Sequence, residues 1–98
     1  MAIKKQYLKS KPVCKVTFQV TAKESDNASV VGDFNKWNTE TTPLKKLKNG
    51  TFKVVVPFES GKSYEFKYVV DGNYINEENA DSFKWNSYAN SENSVLEL

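Results

Sequence analysis

Histidine and arginine are absent from the sequence, and cysteine occurs once. Without histidine the chain lacks the commonest metal ligand and the side chain best suited to moving protons near neutral pH. The single Cys14 excludes an intrachain disulfide, and its place in an alternating apolar segment predicts a buried thiol, not a nucleophile. Because arginine supplies the planar fork that reads phosphates and guanine edges, its absence argues against nucleic-acid binding. We therefore expect no catalytic residue, no metal and no cofactor.

The sequence also lacks a hydrophobic run of about 18 residues and an apolar N-terminal stretch long enough for a secretion signal. We therefore expect no membrane association and a cytoplasmic location. At 98 residues, with 39% hydrophobic and 13% aromatic residues, the chain has the size and composition of one globular domain. We expect that domain at residues 13–98, after a Lys-rich arm or edge segment at residues 1–12. Linkers and internal repeats are absent, which is typical of a free-standing module.

Charge is nearly balanced in total but segregated along the chain. Fourteen lysines against twelve acidic residues give a net charge of +2. Residues 1–15 carry five lysines and no acidic residue, whereas residues 71–98 carry Lys84 against six acidic residues. We expect the Lys-rich start to be solvated and to discourage aggregation at a sheet edge. The opposite charges of the two ends could also attract each other.

Alternation of apolar and polar residues with a period of two dominates the sequence and predicts β-strands. Asn49-Gly50 and Asp71-Gly72 are strong turn signals, the second of them predicting a hairpin. The predicted strands are 14–22, 29–34, 51–58, 64–70, 73–76 and 94–98. Six or seven short strands without a helix indicate an all-β, immunoglobulin-like antiparallel β-sandwich, with a small barrel as the competing topology. Residues 77–92 have the pattern of a long polar loop that includes aromatic residues.

Three acidic residues of that loop, Glu77, Glu78 and Asp81, are close in sequence. A glycosidase pair or a calcium site would need such carboxylates, but the segment lacks the regular oxygen spacing and turn glycine of a calcium loop. A chain this short has no room for both a sandwich and a deep substrate cleft. We expect these acids to be solvated.

The segment from Gly32 to Asn38, Gly-Asp-Phe-Asn-Lys-Trp-Asn, carries the most informative cluster. Its polar flanks suggest that Trp37 projects from a loop, because a buried indole N–H would need a partner. A flat aromatic face beside amide and ammonium donors suits a sugar ring, whose C–H groups pack on the aromatic ring while its hydroxyls are hydrogen-bonded. The alternative is a Trp37 that packs partly under its own loop. The residues alone leave both open.

Four motifs together resemble a known family. They are Val30–Asn38, Pro43-Leu44, Tyr64–Tyr74 and Asn93–Leu96, and the stretch that contains them spans about two-thirds of the chain, with the order and spacing of the family. The sequence resembles the glycogen-binding domain of the AMP-activated protein kinase β-subunit and the early-set domains of carbohydrate-binding module family 48. The resemblance implies an immunoglobulin-like β-sandwich and non-catalytic binding of an α-1,4-linked glucan such as glycogen, starch or a maltooligosaccharide.

Carried over residue by residue, the resemblance implies that Trp37 and Tyr74 are stacking platforms and that Lys67 and Asn93 bond the sugar hydroxyls. Asn35 is a further candidate. The second platform is usually Trp in the family, so Tyr74 offers a smaller stacking surface. The loop at residues 81–90 departs from the kinase type, in which an apolar residue of the loop clasps the helical glucan. Either Trp85 or Tyr88 could take over that contact; the alternative is that at least one of them packs within the loop. Trp85, Tyr88 and Asn35 are therefore secondary candidates for contacts with the sugar.

A protein-interaction or scaffolding role is the alternative. Many early-set domains pack against catalytic domains and bind little carbohydrate themselves. In that case the partner would be a glucan-metabolising enzyme, with little or no sugar bound by the module.

Overall fold

The computed structural model describes residues 2–22, 24–87 and 91–98, which form two antiparallel β-sheets stacked face to face. This confirms the predicted all-β sandwich. The first sheet has the strand order β1-β2-β5-β4; the second has the order β3-β6-β9-β8, with β7 also paired to β6. Nine strands lie in the described residues: β1 (Ala2–Tyr7), β2 (Val13–Thr21), β3 (Ala28–Gly32), β4 (Lys45–Lys46), β5 (Thr51–Glu59), β6 (Ser63–Val70), β7 (Asn73–Ile75), β8 (Ser82–Asn86) and β9 (Ser91–Glu97).

Aromatic rings from both sheets fill the core between them. The ring of Phe18 on β2 lies 5.2 Å from that of Phe66 and 6.2 Å from that of Tyr68, both on β6, in edge-to-face geometry. Phe18 also meets Phe58 of β5 at 6.1 Å. Burying a side chain of this size contributes roughly 1.5–3 kcal/mol. The period-two alternation predicted from the sequence therefore does select the buried faces of β2, β5 and β6.

The turn signals give the expected hairpin between β6 and β7. Asp71 and Gly72 have φ angles of 48° and 83°, and a two-residue turn with both φ values positive matches the twist of the flanking strands. The Asp71 carboxylate also accepts hydrogen bonds from the backbone N–H groups of Asp26 and Asn27, each at 3.1 Å. The turn is thereby tied to the segment that precedes β3.

The prediction of a loop over residues 77–92 is wrong in part, because β8 and the start of β9 lie within this range. The segment Ser82–Asn86 pairs with β9 from Ser82↔Val95 to Asn86↔Ser91. As an edge strand it buries neither face completely, so its sequence lacks the buried alternation that marks β2. The predicted count of six or seven strands is too low, because β1, β4 and β8 were not among the predicted strands.

The Lys-rich start forms strand β1, which pairs with β2 from Ala2↔Gln19 to Tyr7↔Cys14 and is the edge of the first sheet. Lys5 reaches across to the second sheet, where its Nζ lies 2.6 Å from Asp81 Oδ2 and 2.9 Å from the carbonyl of Glu97. Opposite charges from the two ends of the chain thus meet. They link the edge strands β1 and β8.

The prediction of solvated acids is wrong for Glu77, which is fully buried. Its Oε1 accepts a 2.8 Å hydrogen bond from the Tyr68 hydroxyl and its Oε2 a 3.0 Å bond from the N–H of Asn79. Its own N–H donates to Ser94 Oγ at 2.8 Å. Burial, together with the Glu77 carboxylate, raises the pKa of the Tyr68 hydroxyl. Glu78 is exposed, as expected.

Removing the Tyr68 hydroxyl should therefore destabilise the fold. In Tyr68→Phe the ring stays but a buried carboxylate loses a donor, and we expect a loss of about 1–3 kcal/mol in the free energy of unfolding. Urea denaturation measures this. The matched control, Tyr74→Phe at an exposed position, should change stability by less than about 0.5 kcal/mol; equal effects of the two variants would refute the role given to Glu77.

The Lys5–Asp81 pair should make stability depend on pH. Burial raises the pKa of Asp81, but hydrogen bonds from Lys5 and the Glu97 N–H, with the Lys5 charge, outweigh it and hold the pKa below the ordinary value. Since the folded pKa is the lower one, the pair stabilises above about pH 4 and this contribution disappears as the pH falls through the folded value. We expect Lys5→Met to cost up to about 1 kcal/mol at pH 7 and less at pH 3.

Urea unfolding of native protein and of Lys5→Met at both pH values checks this. An undiminished difference at pH 3 would mean that the bond from Lys5 to the Glu97 carbonyl, not the Asp81 carboxylate, is the stabilising contact.

Candidate functional site

The outer face of the second sheet carries a nearly buried lysine. Alternation along β6 turns Phe66 and Tyr68 to the core, and Lys67 to the opposite face as predicted. Lys67 is only 8% exposed. Its Nζ donates a 2.9 Å hydrogen bond to Ser91 Oγ, its one hydrogen-bond partner in the described part of the chain. An ammonium group has three N–H donors, so Lys67 can bond further acceptors at this face.

Tyr74 stands beside Lys67 and forms a pocket with it. On β7, Tyr74 lies opposite Val69 of β6, and its side chain is 57% exposed. A pocket of about 470 Å³, within the size range of small-ligand sites, is lined by Lys67, Tyr74, Asn76 and Ser91. The structure therefore brings together two of the residues singled out in the sequence and adds two polar neighbours, Asn76 and Ser91.

Asn93 is on the same face of the sheet but is almost fully buried. It is 2% exposed, and its Nδ2 donates to Glu65 Oε1 at 3.2 Å. Its Oδ1 is buried without a hydrogen-bond partner among the described residues, a state that costs roughly 1–3 kcal/mol. Lys84 of β8 is its cross-strand neighbour and lies 3.8 Å from Glu65 Oε2. An unsatisfied acceptor is thus held next to the pocket.

The Asp33 carboxylate is fixed by a contact with the backbone of Glu65. Asp33 Oδ2 accepts a 3.1 Å hydrogen bond from the N–H of Glu65, and the Asp33 N–H donates to the Glu65 carbonyl. Burial raises the pKa of Asp33, which the Glu65 N–H partly offsets and the Glu65 charge reinforces. These acids hold the end of β3 against β6.

Trp37 lies outside the pocket, in the loop after β3. It is half-buried. Lys36 and Trp37 have φ angles of 57° and 58°, a left-handed conformation that costs non-glycine residues free energy and persists only where neighbours impose it. The backbone N–H of Trp37 donates a 2.9 Å hydrogen bond to the Gly32 carbonyl. The loop thus holds Trp37 in one position.

Asn35 is what holds that loop. Its Oδ1 accepts from the Gly32 N–H at 2.9 Å, and its Nδ2 donates to the Val30 carbonyl and to Thr42 Oγ1, each at 3.0 Å. With three internal hydrogen bonds, the Asn35 amide orients the chain around Trp37. Gly32 is required at the same place, because a Cβ there would collide with the Glu65 carbonyl and the Phe34 ring.

The structure does not bring Trp85 into the pocket. Trp85 is 60% exposed on edge strand β8, where it pairs with Glu92, whereas its neighbour Lys84 pairs with Asn93 on the outer face. Trp85 therefore lies on the opposite face of β8. Tyr88, the other predicted clasp residue, is outside the described residues.

The described residues show neither a metal-binding cluster nor a membrane-spanning helix. Residues 2–22, 24–87 and 91–98 contain no group of three acidic or thiol side chains placed to hold a metal ion. The same residues contain no helix with the length and hydropathy to cross a membrane.

Comparison with known families identifies the family of the chain. The family model for carbohydrate-binding module 48, the isoamylase N-terminal domain, matches residues 6–89. The chain belongs to the carbohydrate-binding module 48 family. The resemblance found in the motifs is thereby confirmed at family level.

This carbohydrate-binding module 48 chain is also similar to part of several enzymes named 1,4-alpha-glucan branching enzyme GlgB. It is 42% identical to that of Deinococcus radiodurans over 53 residues, 53% of this chain and 8% of the enzyme. It is 36% identical to the enzyme of Nocardia farcinica over 62 residues, which are 62% of this chain and 8% of the enzyme. It is 33% identical to the enzyme of Aquifex aeolicus over 60 residues, which are 58% of this chain and 9% of the enzyme. The chain covers less than a tenth of the length of each of these relatives.

Sequence reasoning missed Ser91 and Asn76 as pocket residues. The last strand was predicted to begin at Ser94, whereas it begins at Ser91. Extending the Ser94–Leu96 alternation backwards would have placed Ser91 and Asn93 on one face. No sequence signal marks Asn76.

Replacing Asn35 should release the loop of Trp37. Asn35→Ala leaves the Gly32 N–H and the Val30 carbonyl without their partner, so we expect a loss of about 1–2 kcal/mol in stability and a weaker near-ultraviolet circular dichroism signal of tryptophan. The matched control is Asn38→Ala, at an exposed residue of the same loop that accepts one hydrogen bond, from the Glu40 N–H. If both variants behave alike, Asn35 does not organise the loop.

Proposed function

We propose that this module binds α-1,4-linked glucan, such as glycogen, starch or a maltooligosaccharide, without catalysis, at the outer face of its second sheet. The observation that carries the proposal is the ammonium group of Lys67, nearly buried in the floor of a pocket whose wall is the exposed ring of Tyr74. A ligand with many neutral acceptors and an apolar face uses both features.

The chemistry of the pocket favours sugar over other ligands. A buried ammonium needs acceptors in place of water, and sugar hydroxyl oxygens supply them. The other polar groups lining the pocket, Asn76 and Ser91, are neutral and can both donate and accept. The Tyr74 ring offers a flat surface for the C–H face of a pyranose. One cation without arginine is a poor phosphate site, so a neutral polyhydroxyl ligand fits better.

Asn93 has a supporting role in this proposal. Its unsatisfied Oδ1 can accept from a sugar hydroxyl once the ligand displaces Lys84, whose side chain is 70% exposed and loosely paired with Glu65. Exposed ion pairs of this kind contribute about 0–1 kcal/mol, so the displacement costs little.

Trp37 is proposed as the second stacking platform, at the end of the sheet where the Asn35-bonded loop holds it. Trp85 lies on the other face of β8 and would meet only a ligand that passes around that edge. Tyr88 remains a secondary candidate. The similar enzymes are named for a 1,4-alpha-glucan, which supports an α-1,4-glucan as the ligand of this chain.

A second candidate function is docking onto a glucan-metabolising enzyme. The observation that favours it is the pair Phe83 and Trp85, 45% and 60% exposed on one face of edge strand β8. Aromatic side chains exposed together often mark a protein interface. Retention of such an enzyme by the module, with no retention of the module on amylose resin, would favour this function.

Titration with maltoheptaose tests the glucan site. We expect amide chemical-shift changes in β6, β7 and β9 at millimolar sugar, and binding weakened about tenfold or more in Lys67→Met and Tyr74→Ala, as for loss of a well-packed anchor. Tyr7→Ala is the matched control, because Tyr7 is equally exposed, at 54%, on the other sheet.

Cellohexaose, a β-linked glucan, should bind more weakly than maltoheptaose. Absence of any shift with native protein at millimolar maltoheptaose would overturn the proposal. An equal loss of affinity in Tyr7→Ala would show that the Tyr74 pocket is not the site.

A further inference from the structure

A second pocket lies on the other side of Tyr74. It has a volume of about 390 Å³. The function described above makes no use of it. Its wall includes Ser29, Thr39, Pro43, Val69, Asp71 and Tyr74.

The two pockets are neighbours on one surface. Tyr74 lines both of them. Val69 lines the second and Lys67 the first, and these residues are two apart on the same face of β6, a separation of about 7 Å along the strand. A ligand longer than one sugar ring that stacks on Tyr74 from the Lys67 side is therefore directed towards the second pocket.

The second pocket has the chemistry of a neutral, hydroxyl-rich ligand. The hydroxyl of Ser29, a residue 6% exposed, and the side chain of Thr39 can donate and accept hydrogen bonds. Asp71 presents a carboxylate fixed by the N–H groups of Asp26 and Asn27. Those N–H bonds, the one from Asn27 first, hold the pKa of Asp71 below its ordinary value, so a charged acceptor is present at neutral pH.

Pro43 and Val69 add apolar surface to the same pocket. The negative charge of Asp71 disfavours an anionic ligand such as a phosphate. Hydroxyl partners together with an apolar floor match a further sugar ring better than any anion.

We propose that the second pocket binds the continuation of the glucan chain held at Lys67, so that Tyr74 supports the middle of the ligand and not its end. This rests on the proposed glucan site. It adds a binding site, formed by Ser29, Thr39 and Asp71, that selects for chain length.

Comparing maltotriose with maltoheptaose tests the second pocket. By calorimetric titration of native protein we expect maltoheptaose to bind more than tenfold tighter. If the site held only three sugar rings, maltoheptaose could occupy it with any of its overlapping three-ring segments, and this statistical effect would raise its affinity only roughly fivefold. Filling the second pocket with Thr39→Trp should reduce the affinity ratio of maltoheptaose to maltotriose to about fivefold or less. The affinity for maltotriose should stay within about twofold of the native value.

Two further variants test whether the effect is specific to the second pocket. Thr41→Trp is the matched control, because Thr41 is an exposed residue of the same loop that does not line the pocket, and it should keep the native preference. In Asp71→Asn the side chain keeps an oxygen acceptor, and asparagine adopts the positive φ of the turn readily. This variant should lower the affinity for maltoheptaose several-fold and leave the affinity for maltotriose almost unchanged.

The outcomes separate the two proposals. If native protein binds both sugars with a difference of fivefold or less, or if Thr39→Trp weakens both sugars equally or neither, the second pocket is not part of the site, although the site at Lys67 stands. If native protein binds neither sugar, the proposed function itself fails.

Discussion

The alternation of strand β6 is the constraint on which the rest of the molecule depends. This strand pairs with β3 on one side and with β7 and β9 on the other, so it is the centre of the second sheet. One face carries Phe66 and Tyr68 into the aromatic core, and the other carries Lys67 and Val69 to the outer surface. A slip of one residue would exchange the two faces, placing an ammonium group in the aromatic core and two rings on the outer face. Core and candidate site are therefore specified together.

A buried polar network joins that core to the pocket. The Tyr68 hydroxyl bonds Glu77, the Glu77 N–H bonds Ser94 Oγ, and Ser94 Oγ donates to Asn76 Oδ1 at 3.0 Å. Asn76 in turn donates to the Glu92 carbonyl at 2.8 Å and lines the pocket. Each member is satisfied by the next, which makes such a network rigid. The pocket wall is thus set by contacts that begin in the hydrophobic core.

Much of the fold could be predicted because strong alternation and positive-φ turns are local properties. Strands β2, β5, β6 and β7 lie within about one residue of their predicted bounds, and the hairpin at Asp71-Gly72 forms as predicted. Strand β8 was missed, since an edge strand exposes both faces and its pattern resembles that of a polar loop. Glu77 was misjudged because its burial depends on the Tyr68 hydroxyl, which meets it only after the chain folds.

The sequence by itself determined the sandwich class, the turns and the face of β6 on which Lys67 lies, because side-chain alternation is a property of any extended strand. Only the tertiary structure decided how deeply Lys67 is buried, that Tyr74 and Ser91 surround it, and that Trp37 and Trp85 lie outside the pocket. The burial of Lys67 and its contact with Ser91 depend on the pairing of β6 with β9, whose residues are distant in sequence. Pairing over such distances is set by the packing of the whole core and not by any local pattern.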